Sequence, residues 1–246
     1  MTPGIYSLVS AIDARWVQQE RIADNMSGAS GTGHKRRTGG FESFGQVLHD
    51  SQGSNTNKNL VAPLSHAQPS IIDFSSGPLK STEQPLDVAI NGKGFFVVQT
   101  PVGERLTRDG HFNLNASSQL VNHAGFPVLG SKGPITISEK NGRISFGADG
   151  ALLVNGNPTD KLKFVVPTQP QNLQPEGESY FVLGGSPVDP NPIAQISSGF
   201  LESSNVELPR ELVEMLSNQR MEELLTRAFQ MQDEGIGRAI QDLTTL

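Results

Sequence analysis

Five histidines, at positions 34, 49, 66, 111 and 123, are the side chains best suited to metal binding or proton transfer in this 246-residue chain. None falls in a His-x-x-x-His or His-Glu-x-x-His spacing, which would align ligands on one helical face, so each reads as a surface or turn residue. Gly92-Lys93-Gly94 offers small residues and a cation, as a phosphate cradle does, but neither GxxxxGK[ST] nor GxGxxG surrounds it. It joins two β-type runs and reads as a tight hairpin. Gly28-Ala29-Ser30-Gly31 misses the GxSxG nucleophile elbow by one position and follows a helical pattern, where that chemistry needs a strand. Asp73, Glu83, Asp87, Asp109 and Asp149 could supply a glycosidase acid pair only if two of them met in space, which their spacing does not specify; turn and strand-end positions account for them. No catalytic, cofactor-binding or metal residue is expected, and the chain does not read as an enzyme.

Composition narrows the classes further. Zero cysteine excludes disulfides, zinc–thiolate sites and thiol catalysis. The net charge is −6, with both signs spread along the chain, so no broad nucleic-acid footprint is expected. The one basic cluster, His34 to Arg37, reads as a solvated stretch after a helix. No apolar run reaches the ~18 residues of a membrane span, and MTPGIYSLVS lacks the basic and apolar regions of a cleaved signal. Twenty-six glycines and 16 prolines make the chain turn-rich.

Around those residues the sequence sets out four regions. Residues 1–30 read as a helix: Thr2 can cap, Pro3 suits the first helical position, and Gly28 can end the run in the left-handed conformation. Ile5, Val9, Ile12, Trp16, Gln19, Ala23 and Met26 recur at spacings of four and three, the seam of a helix that packs along its length. Residues 31–84 lose all periodicity and read as a polar extended connector, including the linker-like SQGSNTNKN at 51–59. In 85–198, short β-type runs (Leu86–Ile90, Gly94–Gln99, Arg105–Thr107, His111–Asn115, Leu120–Val121, Pro127–Leu129, Ile135–Ile137, Arg143–Phe146) alternate with Asn-Gly and Asp-Gly turns. That rhythm predicts an antiparallel all-β domain. Residues 199–246 return to helix, with a Ser204-x-x-Glu207 capping box, an apolar stripe through Leu212, Met215, Leu225, Phe229, Ile236 and Ile240, and weak points at Gly235 and Gly237. The fold class is therefore mixed α and β: two long terminal amphipathic helices that pair and assemble with neighbouring subunits, and a central antiparallel β domain.

Three ordered stretches resemble the axial proteins of the bacterial flagellum, specifically the basal-body rod proteins. Ile22 to Lys35 is similar to the family's helix end, departing from it at Asp24, Met26, Ser27, Gly28 and His34. Pro85-Leu86-Asp87-Val88-Ala89-Ile90-Asn91-Gly92-Lys93-Gly94-Phe95-Phe96-Val97-Val98, then Thr107-Arg108-Asp109-Gly110-His111-Phe112 and Gly125 to Gly130, resembles its shared β segment nearly position by position. Gly199-Phe200-Leu201-Glu202-Ser203-Ser204-Asn205-Val206 resembles the entry to its terminal helix. Ile72 to Lys80 looks most like the proximal rod member; a distal rod or hook-type protein is the alternative, and a β-rich carbohydrate-binding surface protein the reading from another class.

The resemblance implies a structural subunit of the rod, polymerising through its terminal helices into the shaft that transmits motor torque to the hook. It implies export by the flagellar type III apparatus without a cleaved signal, a periplasmic location in the basal body, and no cofactor. The implied partners are copies of itself, other rod proteins, the export apparatus and the rings around the rod, with no nucleic acid and no membrane insertion. Intersubunit packing is expected from Ile5, Val9, Ile12, Trp16, Leu212, Met215, Leu225, Phe229, Ile236 and Ile240, and helix-end roles from Asn25 and Asn205.

Overall fold

The computed structural model describes residues 3–43, 65–67, 70–137, 142–177, 179–185, 187–189 and 195–244. Thr2, His49 and the 51–59 stretch lie outside them. Two helices flank a β region: α1, Pro3–Gly28, and α2, Leu208–Thr244. The chain divides into two compact units. One holds residues 1–26, 37–71 and 207–246; the other holds 27–36 and 72–206.

In the helical unit, α1 and α2 are hydrogen-bonded to each other in antiparallel register. Trp16 Nε1 donates to Glu222 Oε1 (3.0 Å), Asn218 Nδ2 donates to Arg15 O and Gln19 Oε1 (both 3.0 Å), and Asn25 Nδ2 donates to Glu211 Oε2 (3.2 Å). Among the described residues of α1 the buried ones are Ala14, Ile22 and Asn25, whereas Val9 and Trp16 of the sequence-read seam are exposed. Helix α2 starts at Leu208, three residues later than a Ser204 cap would set it. Ser204 Oγ instead accepts from Val206 N (3.2 Å), and the Glu207 carbonyl receives the first helical bonds, from Arg210 and Glu211. Pro209 then falls at the second helical position, where a missing N–H costs nothing. Gly235 and Gly237 do not interrupt the helix.

The β unit is antiparallel throughout its strand pairs from Leu79 to Glu202. Its largest sheet has the order Phe164–Val165, Phe95–Thr100, Gly103–Thr107, Tyr180–Val182, Gln174–Glu176. The central strand Phe95–Thr100 is buried on both faces, which is why it reads as a continuous apolar run. Phe96 and Val98 enter one core with Phe112, Leu120, Ile135 and Leu152, while Phe95 and Val97 enter a second with Leu106, Leu129 and Phe181. Phe96 meets Phe112 edge to face at 5.2 Å, and Phe74, Phe95 and Phe181 form a second edge-to-face set at 5.4 to 5.6 Å.

Three local expectations change. Gly92 to Gly94 does not close a tight hairpin: Val88–Asn91 pairs with Gln195–Ser198, and Phe95–Thr100 pairs with Gly103–Thr107. The chain passes from one sheet to another there. Gly94 takes φ +127 with the Phe164 ring lying where a Cβ would stand. Gly28 ends α1 without a left-handed φ; the His34 ring occupies the space of its missing side chain, so close approach, not turn geometry, demands glycine. Ile135 to Ile137 is buried through an isolated bridge, Gln119 to Thr136, and is not a strand. Two strands after Phe146, Asn157–Lys161 and Gln174–Glu176, are polar and mostly exposed, so no apolar run announces them.

Candidate assembly site

The segments that carry the family resemblance converge in the β unit on one buried carboxylate. Glu202, on the strand Phe200–Glu202 that pairs with Leu79–Ser81, is 1% exposed. Its Oε1 accepts from Lys35 Nζ (2.6 Å) and from Gly77 N (3.0 Å), and its Oε2 accepts from Arg108 Nη1 (3.0 Å). Arg108 also donates to the Gly92 carbonyl (2.8 Å) and lies 5.2 Å above the Phe95 ring. Lys35 also donates to Ser75 O (2.7 Å). Burial pushes the Lys35 and Arg108 pKa values below their ordinary ranges, and the charge of Glu202 works in the opposite direction.

This corrects the reading of residues 34 to 37 as a solvated basic stretch. His34 and Lys35 are 4% and 2% exposed. The partner of Lys35 is 167 positions away, so no local pattern could have pointed to it. The only signal was membership of both charged residues in motifs matched to one family.

Asn205 works beside this cluster. Its Oδ1 accepts from Arg36 N (2.7 Å), and its Nδ2 donates to Asp73 O (2.9 Å) and Ser75 O (3.2 Å). Asp109 anchors a further segment: Thr32 Oγ1 donates to its Oδ1 (2.6 Å), as does His111 N (3.0 Å), and His123 Nδ1 lies 2.9 Å from its Oδ2. His111 and His123, read from sequence as surface or turn residues, are partly exposed, and each also meets a buried carboxylate, Asp87 and Asp109 respectively. Among the described residues no group of three or more His, Cys, Asp or Glu could hold a metal ion.

In the helical unit, Asn25 is 1% exposed and bonds to the returning chain twice, accepting from Arg37 N (2.8 Å) and donating to Arg37 O (2.9 Å). With its bond to Glu211 it joins the end of α1 to the start of α2. The rest of the helical surface is less saturated. Val9, Trp16 and Leu212 are 50%, 64% and 47% exposed, and Val213, Leu216, Leu224 and Met231 are more than half exposed. Ile12, Met215, Leu225 and Phe229 are half-buried. The side chains of Ile5, Ile236 and Ile240 lie outside the described residues. Among the described residues no helix is long and apolar enough to cross a membrane.

Comparison with known proteins matches these features to two family segments. Residues 89–154 match the flagellar hook protein FlgE/F/G D1 domain, and residues 197–242 match the flagellar basal body rod FlgEFG protein C-terminal segment. The chain is 30% identical over 250 residues to the flagellar basal-body rod protein FlgF of Mesorhizobium japonicum, covering 96% of this chain and 97% of that one. It is 30% identical over 260 residues to FlgF of Salmonella typhimurium, covering 99% of each. It is 28% identical over 262 residues to the rod protein FlgG of Buchnera aphidicola from Schizaphis graminum, covering 98% of this chain and all of that one. With relatives 30% identical over nearly the whole of both chains, and family segments matched in the central β region and at the entry to α2, the chain belongs to the flagellar basal-body rod proteins.

Proposed function

We propose that this chain is a structural, non-enzymatic rod subunit that polymerises through its terminal helices into the shaft carrying motor torque to the hook, and that it occupies the proximal rod. The observation that carries the reading is the row of exposed apolar residues on both helices: Val9, Trp16, Leu212, Val213, Leu216 and Leu224. Exposed singly such residues need no explanation, but a row along paired helices is surface that a neighbouring copy would cover. The packing positions are Val9, Ile12, Trp16, Leu212, Met215, Leu225 and Phe229, together with Ile5, Ile236 and Ile240. Asn25 and Asn205 fix where the helices end. The resemblance of Ile72 to Lys80 to the proximal member supports the position in the rod. Export by the flagellar type III apparatus without a cleaved signal, and a periplasmic location, follow from the same reading, as do contacts with other rod proteins and the surrounding rings.

The test is a chain carrying Val9→Asp and Leu212→Asp. Both positions are about half exposed, so the change leaves folding nearly untouched, within about 0.5 kcal/mol per site. The variant is expected to be folded by circular dichroism, absent from purified basal bodies, and unable to restore motility. A motile strain with both changes would overturn the proposal.

A further inference from the structure

Resting on the reading of the chain as a rod subunit, we propose that the β unit of one copy plugs into the β unit of the next: the turn Pro101–Val102 of one subunit seats in a groove between Phe74, Phe95 and Pro167 of a second copy. The groove has a volume of ≈ 460 Å³, with an apolar wall that includes Phe74, Phe95, Pro167 and Pro170 and a rim bearing Lys93. That size suits an occupant that is enclosed by the groove and not merely laid over it. No group of three or more metal-ligating side chains is found among the described residues, and the wall is apolar, which suits a side chain better than a polar metabolite.

The fitting shape is found elsewhere on the same unit. Val102 is 69% exposed at the turn between the strands Phe95–Thr100 and Gly103–Thr107. The turn is held in one form: Gly103 takes φ +120, and Thr100 Oγ1 donates to Gly103 O at 2.8 Å. A tip ordered in advance loses little freedom on docking. Groove and tip lie at opposite ends of one hairpin. Phe95 and Arg108 stand at its root, and the six residues of Phe95–Thr100 put the tip about 20 Å away. A socket and a plug at the two ends of one stiff element are different surfaces, so the contact they make is head-to-tail, the kind that builds an open stack when its rotation does not close, as a shaft requires.

Charge favours the same pairing. Lys93 is exposed and has no ion-pair partner among the described residues. Glu104, two residues beyond Val102, carries a carboxylate with 53% side-chain exposure. Its contact with Lys163 is itself exposed, so it can be exchanged for, or shared with, the Lys93 of another copy at little cost. Asp73 also lines the groove, its carboxylate accepting from Ser75 N at 2.9 Å; Lys93, without an ion-pair partner among the described residues, is the lining charge left to meet an acidic plug.

The absence of cysteine makes the test direct. Val102→Cys and Gln171→Cys, singly and together, are expressed in place of the normal chain; basal bodies are purified and treated with a short bismaleimide. The double variant is expected to give covalent dimers and larger species of this chain, and neither single variant gives any of the larger species. Lys93→Glu added to the double variant lowers the cross-linked fraction by about tenfold, and Glu104→Lys restores it. Basal bodies that contain the double variant but yield no dimer, or yield only links to a different protein, overturn this inference and leave the rod assignment standing. Basal bodies that never contain the unmodified chain overturn the rod assignment, and this inference with it. If the cysteines themselves prevent incorporation, Gln171→Trp, which fills the socket from an exposed position, replaces them. Normal numbers of basal bodies with that variant overturn the inference, and their loss supports it.

Discussion

Replacing Glu202 by Gln should damage the β unit more than any other single change in its buried charge cluster. In the native cluster two cations, Lys35 and Arg108, face one carboxylate, all at or below 3% exposure. Glu202→Gln removes the only anion bonded to both and leaves two buried positive charges. Breaking a buried pair in this way costs about 3 to 5 kcal/mol, a large part of the 5 to 15 kcal/mol by which folded domains are stable. For a unit of this size the unfolding midpoint should fall by roughly 10 °C. Lys35→Met is the control: it leaves Arg108 and Glu202 as a balanced pair and removes only the bonds of one ammonium, costing about 1 to 2 kcal/mol. The assay is thermal unfolding of the full chain followed in the near-ultraviolet, where Tyr180 reports from inside the β unit.

The same cluster sets a pH dependence with a definite sign. Burial lowers the Lys35 pKa from 10.5 in the folded chain, so the unfolded chain holds that proton to higher pH than the folded one does. Stability therefore rises with pH from the folded value of Lys35 up to the unfolded one. Without Glu202 the folded value drops further, and the rise begins at lower pH and is larger. A Glu202→Gln chain less affected than Lys35→Met, or a native chain whose stability relative to Lys35→Met falls as the solution is made alkaline, would refute the idea that Glu202 holds two buried cations in place; the comparison cancels Tyr180, whose raised pKa acts with the opposite sign.

Asn25→Leu should cost about 2 to 4 kcal/mol locally, because it strands the Arg37 N–H and carbonyl; hydrogen exchange at Arg37 is expected to speed up while the amides of the β unit stay protected. Gly235→Ala with Gly237→Ala should raise the helicity of α2, by about 1 kcal/mol per site, since a Cβ at either position meets nothing within 4 Å. Far-ultraviolet circular dichroism on heating checks this, and an unchanged profile would show that those turns are not helical in solution.

The elements that could be read from sequence are those with a period. Alternating four- and three-residue spacings marked both helices, and the twofold-buried run at Phe95 to Val98 marked the central strand. Turn glycines were legible where geometry alone demanded them, as at Gly92, Gly125, Gly150 and Gly156, all with positive φ. Gly28 and Gly110 were misread for one shared reason. Each is glycine because something packs against its Cα, the ring of His34 six residues on in one case and the Val88 carbonyl in the other, and contacts of this kind follow no local sequence pattern. The seam through Val9 and Trp16 is exposed within one chain, and what sequence spacing did not show is that a polar residue, Asn25, would be among the buried ones on α1. Lys35 and Glu202 were the hardest to foresee, because charged residues are rarely fully buried unless paired, and the pairing spans most of the chain.

The bond between Lys35 and Glu202 also fixes where a mechanical load can travel. The first stretch of the chain in the β unit, 27–36, and its last, up to residue 206, are tied directly by Gly33 N to Glu202 O, Arg36 N to Asn205 Oδ1, and Lys35 Nζ to Glu202 Oε1. A pull applied along the backbone from both flanks is closed across that clasp. Tension that enters at 32–36 and leaves at 202–205 can pass through those bonds without crossing the sheets that lie between them in sequence.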